Sequence, residues 1–320
     1  MAIKFVYALI SCAKDYYTEQ AVISMHSLRR HNPEAHITLV SDDETLNTLT
    51  GTRSLIRDYV SEYVVVNPPA GFSPVQRSRY IKTSLRQSVQ GDFLYMDNDT
   101  IVTDSLQELD EWDGEFGAVQ DRHESLETNG QLKKYLATTQ KEFWNYDYYF
   151  NGGVLLVKDT TATHRLFGDW HRIWNEERVK YGLNIDQPSF AQANVANNFL
   201  ISELSGIYNC QIISTKSVRF MFAPKIVHYH SNLSSDFGVL FPLNDAAVLN
   251  TVREQGITPE IEDIIQYPLA SYLERSCIIG GEELRIYKSP IVVLARKLSR
   301  DFSWTNKVAR LVYRLFGFHI

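Results

Sequence analysis

The segment Phe93-Leu94-Tyr95-Met96-Asp97-Asn98-Asp99-Thr100 ends an apolar run on two carboxylates two residues apart. Hard oxygen ligands that close together suit Mg²⁺ or Mn²⁺, which keep coordination positions for water and phosphate oxygens. Such an ion would neutralise a diphosphate leaving group. An Asp-x-Asp by itself also occurs in ordinary surface turns, so its surroundings decide. Three further clusters bear on it. Phe150-Asn151-Gly152-Gly153 sets an amide and two glycines at the mouth of a second apolar run, where glycine lets backbone approach a ligand closely. Asn184-Ile185-Asp186-Gln187-Pro188 offers a carboxylate and an amide at a helix start; Asp186 is equally read there as an N-cap, with Pro188 in the first turn. Ile226-Val227-His228-Tyr229-His230 ends a third run on two histidines. Their side chains are expected on opposite faces of the strand, so that one imidazole reaches a metal.

These residues need a scaffold. Ile3–Ile10 and His36–Ser41 read as strands flanking a helix over Thr18–His31, whose Ala21, Val22, Met25 and Leu28 share a face. Thr18 is the expected N-cap. Tyr63–Val66 reads as a buried strand, Pro74–Gln90 as a helix opened by proline, and Phe93–Met96 as another buried strand. Gly117–Gln120 follows, then a polar loop over Asp121–Asp147, a strand Tyr149–Val157, helices Ala162–Arg178 and Asp186–Asn197, and a strand Lys225–Tyr229. Alternating strands and helices of this length predict an α/β fold with a mostly parallel sheet covered on both faces. Ligands of such sheets bind beyond the C-terminal strand ends, where Asp97 falls.

The 320 residues carry a formal charge of -6, unevenly spread. Residues 285–320 hold eight Lys or Arg (Arg285, Lys288, Arg296, Lys297, Arg300, Lys307, Arg310, Arg314) and a single acid, Asp301, a net +7 that leaves the rest at -13. An acidic body speaks against nucleic acid as a partner, since that binding rests on Lys and Arg neutralising phosphates. Cys12, Cys210 and Cys277 lie far apart with no CxxC spacing, so neither a disulfide framework nor a zinc site is expected, and a reducing, cytoplasmic location fits. Residues 2–13 have too short an apolar run for a signal peptide, and no stretch has the 18 or so apolar residues of a membrane span.

In this order the four clusters resemble the retaining GT-A glycosyltransferases of family 8, the glycogenin and lipopolysaccharide galactosyltransferase group, over residues 3–230. The resemblance implies a nucleotide-sugar donor, usually a UDP-sugar, and Mn²⁺ (or Mg²⁺) held by Asp97, Asp99 and His228, with Asn98 in the same triplet. It puts Asn151, Gly152, Asp186 and Gln187 at the donor sugar and reaction centre, and Asp121 near the donor sugar. Arg79 corresponds to a cation on donor phosphate or sugar, a role for which Arg77 and Lys82 compete. Ala8, Asp15 and Tyr16 fall where the family holds the base and ribose, for which a ring face and a carboxylate suit uridine. The family usually continues past the strand-end histidine with Gly, Lys, Pro and Trp. Here His228-Tyr229-His230-Ser231-Asn232 lacks that lysine, and His230 or a more distant base is expected in its place.

The implied reaction moves a hexose to a glycan or glycolipid hydroxyl with retention, in a GT-A domain of residues 1–240 followed by a mainly helical extension, 241–320. Acceptor choice is expected to lie in the loop 121–148. Asp97-Asn98-Asp99-Thr100 also fits the nucleophile motif of haloacid-dehalogenase-like phosphatases, but the paired acidic motif those enzymes need is absent from the sequence. A non-catalytic nucleotide-sugar-binding protein is the third reading. Within the tail, residues 291–318 interleave Leu294, Leu298, Trp304, Leu311 and other apolar residues with cations, the pattern of a surface helix on anionic lipid. Peripheral contact with the inner face of the cell membrane is therefore expected.

Overall fold

Strand Lys4–Leu9 (β1) sends Phe5, Tyr7 and Leu9 into one hydrophobic core and Val6 into another. The same alternation recurs in Leu94 and Met96 against Phe93 and Tyr95, which places one core on each face of the sheet. The computed structural model describes residues 3–123, 130–139, 149–212, 215–230, 241–270, 285–286, 288–302 and 304–315. Strand β1 is flanked by Ile37–Ser41 (β2) and Phe93–Met96 (β4), and Glu62–Val65 (β3) pairs with the outer side of β2, all parallel. Thr100–Val102 is β5, Phe116–Gln120 β6, Phe150–Val157 β7 and Ile201–Glu203 β8. The large sheet has seven strands in the order β3-β2-β1-β4-β7-β6-β8, with β7 antiparallel to both neighbours. The expected mostly parallel α/β sheet is present. Cys210–Gln211 (β9) and Ile226–His228 (β10) join β5 in a second sheet, in the order β5-β10-β9.

The first core packs under Tyr17–His31 (α1), through Ala21, Val22, Met25 and Leu28. The N-cap position is Tyr16 rather than Thr18; Thr18 is buried inside the helix and donates to Ser11 Oγ at 2.9 Å. Asp43–Leu46 forms the short α2. The expected helix 74–90 is broken into Pro74–Thr83 (α3) and Leu85–Ser88 (α4), because Ser84 leaves helical geometry. A capping box between Ser73 and Gln76 starts α3. Helix α3 helps close the second core with Thr161–Tyr181 (α6), which contributes Leu166, Phe167 and Trp170. Strand β3 is an edge strand, not a buried one: Tyr63 and Val65 are exposed. The stretch expected as a polar loop contains a helix, Gly130–Thr139 (α5), whose Tyr135 hydroxyl donates to buried Glu177 on α6. Much of the rest of that loop lies outside the described residues. Gln187–Ala196 is α7.

Residues Met1–Tyr272 form one compact unit and Leu273–Ile320 another. The first therefore includes Ala246–Gln255 (α8) and Pro259–Gln266 (α9). Glu262 of α9 bonds His26 of α1, and Gln20 donates to Leu243 O, just before α8. The second unit contains Pro290–Asp301 (α10), capped by Ser289, and Trp304–Leu315 (α11). Among the described residues no helix is long and apolar enough to cross a membrane.

Candidate active site

Strand register assembles the site. Strand β10 runs antiparallel to β5 with His228 opposite Thr100, and Tyr229 N donates to Asp99 O at 2.9 Å, so Asp99 and His228 become neighbours. Strand β7 pairs with β4 at Val154 and Met96, and Asp97 N donates to Gly153 O at 2.7 Å, which brings Asn151–Gly153 against Asp97. One ligand atom from each of Asp97, Asp99 and His228 lies within 4.8 Å of the others. Gly153 is obligatory between them. A β-carbon there would stand 2.3 Å from His228 Cε1 and 2.9 Å from Asp97 Oδ2.

The donor set fits a divalent ion of mixed oxygen and nitrogen preference. His228 Nδ1 is 2.8 Å from Asn209 Oδ1, and Asn209 Nδ2 donates to Asn151 Oδ1 at 3.0 Å. Asn209 must therefore accept from His228, which puts the proton on Nδ1 and turns Nε2 toward Asp99, 3.3 Å away. That is the arrangement in which an outer hydrogen bond fixes a metal-binding imidazole. Charge also fits. Burial would raise the Asp97 pKa, yet Lys82, His228 and the Tyr95 hydroxyl hold it at about 2. Burial would lower that of His228, yet Asp99 and Asp97 raise it. The site thus favours positive charge beside the Asp97 carboxylate.

A cleft of about 280 Å³ opens from these residues. Its lining includes, with Asp97, Asp99 and His228, the expected Arg79, Asp121, Asn151, Gly152, Asp186, Gln187 and His230. Asp186 occupies the N-cap position of α7 but its side chain caps nothing; it meets Arg79 Nε at 3.0 Å and Lys82 Nζ at 4.0 Å. Asp186 raises the Arg79 pKa, outweighing burial. Trp170 Nε1 and Ser189 Oγ both donate to Asp186 O, at 2.9 and 2.7 Å, which fixes the turn. Asn151 Nδ2 donates to Asp121 Oδ1 at 3.0 Å. The competitor Arg77 is elsewhere, paired with Asp42 and Glu44.

The histidines depart from expectation. His228 and His230 stack at 4.4 Å between ring centroids, both in the cleft. Residues two apart on a strand share a face, so the opposite-face reading was a parity error. Burial and the neighbouring His228 push the His230 pKa well down, so its ring is neutral.

Four other residues fall outside the cleft lining. Asn98 turns to β1, donating to Ala8 O at 3.2 Å, which makes Asn98 a strut and occupies Ala8. The Asp15 carboxylate accepts from Ser11 Oγ at 2.6 Å and Cys12 N at 2.8 Å, a closed turn. Tyr16 faces α8: its hydroxyl donates to Asn250 and the Arg253 guanidinium lies 4.4 Å from its ring. The exposed aromatic is Tyr17, 49% accessible and close enough to help raise the Arg79 pKa.

Lys82 proves central rather than an alternative to Arg79: it is 5% exposed, with Nζ 3.0 and 3.3 Å from the Asp97 oxygens. Its spacing of three from Arg79 on one helix was the available signal. Arg122 and Asn209 were not foreseen. Arg122 and His123 have positive φ (55° and 50°), each costing about 1–3 kcal/mol for a non-glycine residue.

No family model and no curated protein sequence matches this chain. Among solved structures, mouse xyloside xylosyltransferase 1 in its apo form aligns at 14% identity and TM-score 0.50, over 72% of this chain and 98% of that one. Galactosyltransferase LgtC, solved with donor and acceptor sugar analogues, aligns at 16% identity and TM-score 0.48, over 82% and 99%. Glycosyltransferase GlyE of Streptococcus pneumoniae aligns at 20% identity and TM-score 0.48, over 85% of this chain and 64% of its own. At such identities the likeness concerns the backbone. The chain has the GT-A fold of glycosyltransferases, the fold its sequence resemblance implies.

Proposed function

We propose that the chain is a metal-dependent glycosyltransferase that moves a hexose from a nucleotide diphosphate sugar, a UDP-sugar by resemblance, to a glycan or glycolipid hydroxyl with retention. The observation that carries this is the convergence of Asp97, Asp99 and His228 around Gly153 in a cleft that Asn151, Asp186 and Gln187 also line. Four aspartates and three cations line that cleft. A divalent ion would turn this excess of negative charge into a positive one suited to a diphosphate. Asp97, Asp99 and His228 would hold the ion, with Mn²⁺ favoured over Mg²⁺ because one ligand is an imidazole. Bound there, the ion supplies electrostatic stabilisation of the departing diphosphate.

The protein's own groups divide the remaining work. Arg79 and Lys82 are cations placed for donor phosphate or sugar oxygens, and each is held by a carboxylate. Asp186, fixed by Arg79, and Asn151, fixed by Asp121 and Asn209, orient the sugar. The amphipathic helices α10 and α11 are read as a contact with anionic membrane, which suits a glycolipid acceptor.

The test is a panel of nucleotide sugars with Mn²⁺, Mg²⁺ or EDTA, following thermal stabilisation and release of nucleoside diphosphate. Metal-dependent release from one UDP-sugar is expected. Binding without turnover would favour a non-catalytic binding protein, and hydrolysis of a simple phosphate monoester in place of donor turnover would favour the phosphatase.

A further inference from the structure

Two consecutive non-glycine residues at the edge of the cleft take left-handed backbone, Arg122 at φ 55°, ψ 13° and His123 at φ 50°. Such strain persists only where the surroundings over-determine it, and it gathers at functional sites. Here Gln211 ties the turn at three points. Gln211, wholly buried, accepts from Arg122 N at 2.8 Å, donates Nε2 to Gln120 O at 2.9 Å, and donates its backbone N–H to His123 Nε2 at 3.1 Å. The consequence is that the Arg122 side chain lines the cleft.

The other two cleft cations are committed, Arg79 to Asp186 and Lys82 to Asp97, each at 3.0 Å. The guanidinium of Arg122 lies 3.9 Å from Asp121 Oδ2 and makes no hydrogen bond among the described residues. Its position is specific. Asp121 bonds Asn151, and the Arg122 side chain lines the same cleft as Asn151, His228 and His230. It therefore shares the cleft with the Asn151 amide and with the strand-end histidines beside the metal site.

We propose that Arg122 binds the sugar-proximal phosphate of the nucleotide diphosphate donor. This rests on the nucleotide-sugar reading above and supplies the leaving-group cation that the sequence lacks after His228. As the bond from the anomeric carbon to the phosphate oxygen breaks, its electron pair stays on that oxygen. The guanidinium keeps its protons and donates hydrogen bonds to the growing charge. The acceptor oxygen bonds the anomeric carbon, and its proton passes to the departing phosphate.

The test uses the full chain in Mn²⁺ and titrates UDP and UMP into Arg122→Gln, Arg122→Lys and Arg122→Gly. Arg122→Gln is expected to lose at least about tenfold in UDP affinity with UMP within about twofold, and Arg122→Lys to recover part of the loss. Arg122→Gly, for which this backbone is unstrained, should bind UDP as weakly as Arg122→Gln while melting no lower than wild type. Unchanged UDP affinity in the Gln and Gly variants, equal loss of UDP and UMP, or a lower melting temperature for Arg122→Gly would each overturn the role of Arg122 alone. A wild-type protein that binds neither nucleotide would sink the donor reading and this inference with it.

Discussion

Gly153 lies so close to His228 that any β-carbon at position 153 would stand 2.3 Å from the imidazole Cε1. The three groups in the way, His228, Asn151 and Asp97, are fixed by Asn209, Asp121, Lys82 and backbone pairing rather than being free side-chain ends. Gly153→Ala must therefore displace His228 or part β4 from β7. The expected result is loss of Mn²⁺-dependent UDP binding by about 100-fold or more, with a destabilisation of about 1–3 kcal/mol from overpacking. Gly152→Ala is the control, because its β-carbon would meet Lys82 Cε and Nζ at an ordinary 3.5 Å. Calorimetric titration of UDP with Mn²⁺ checks both; equal affinities for the two variants would contradict the packing argument.

Asn209 is the hinge of the polar network, since it accepts from His228 and donates to Asn151. Asn209→Leu keeps the volume but frees the imidazole and leaves two buried groups without this partner. Loss of such an outer hydrogen bond typically costs 10–100-fold in metal affinity, and that range is expected here for Mn²⁺. His228→Ala and Asp99→Asn should each lose more, since they remove a ligand. His230→Ala should lose less, because His230 stacks on His228 and is not among the three groups whose ligand atoms converge. Electron paramagnetic resonance of Mn²⁺ ranks the four directly, and an Asn209 variant with wild-type affinity would remove the orienting role.

How much of this was legible depended on range. Periodicity gave the α/β sheet because β1, β2, β4 and β7 are apolar runs whose alternation is local. It also placed Asp97 at a strand end. The adjacency of Asp99 and His228 was not local: it comes from the register of β10 on β5, across more than a hundred residues. Asn209 carries no motif, and its value comes from two hydrogen bonds. Arg122 was hidden because only backbone geometry distinguishes it. Tyr16 misled for a tertiary reason, as α8 arrives from residues 246–255 to cover it. Helix α5 was missed because its stretch is polar and the bond of its buried Tyr135 to Glu177 is a tertiary contact.

His123 makes stability depend on pH. Burial, then Arg219 and His228, lower its pKa from 6.5 to about 4, and the Gln211 N–H aimed at Nε2 requires that nitrogen unprotonated. Between those values the unfolded chain binds a proton that the folded chain does not, so this contribution is complete above about pH 6.5 and is lost as pH falls toward 4. The single site accounts for on the order of 2–3 kcal/mol across that window. Urea unfolding of wild type and His123→Gln at pH 7, 5.5 and 4.5 should show the variant less stable at neutral pH and the gap narrowing in acid. A constant gap would show that His123 does not carry the effect.

The last prediction concerns α10 and α11. Ile291, Leu294, Trp304 and Leu311 are between 57% and 80% exposed, and Arg296, Lys297 and Lys307 stand on the same two helices. An exposed apolar surface of this kind on short basic helices matches the interface of an anionic bilayer. Each cation near such a surface contributes about 1 kcal/mol. Removing three charges should thus lower partitioning by about two orders of magnitude. The full chain should co-sediment with vesicles containing phosphatidylglycerol and not with pure phosphatidylcholine, and the triple variant Arg296→Gln, Lys297→Gln, Lys307→Gln should remain in the supernatant with donor hydrolysis unchanged. Salt should act in the same direction, because the Debye length falls from about 8 Å at physiological ionic strength to about 3 Å at 1 M. Equal sedimentation of variant and wild type on anionic vesicles would mean that these helices do not meet lipid through their cations. The membrane reading would then fail while the cleft chemistry stood.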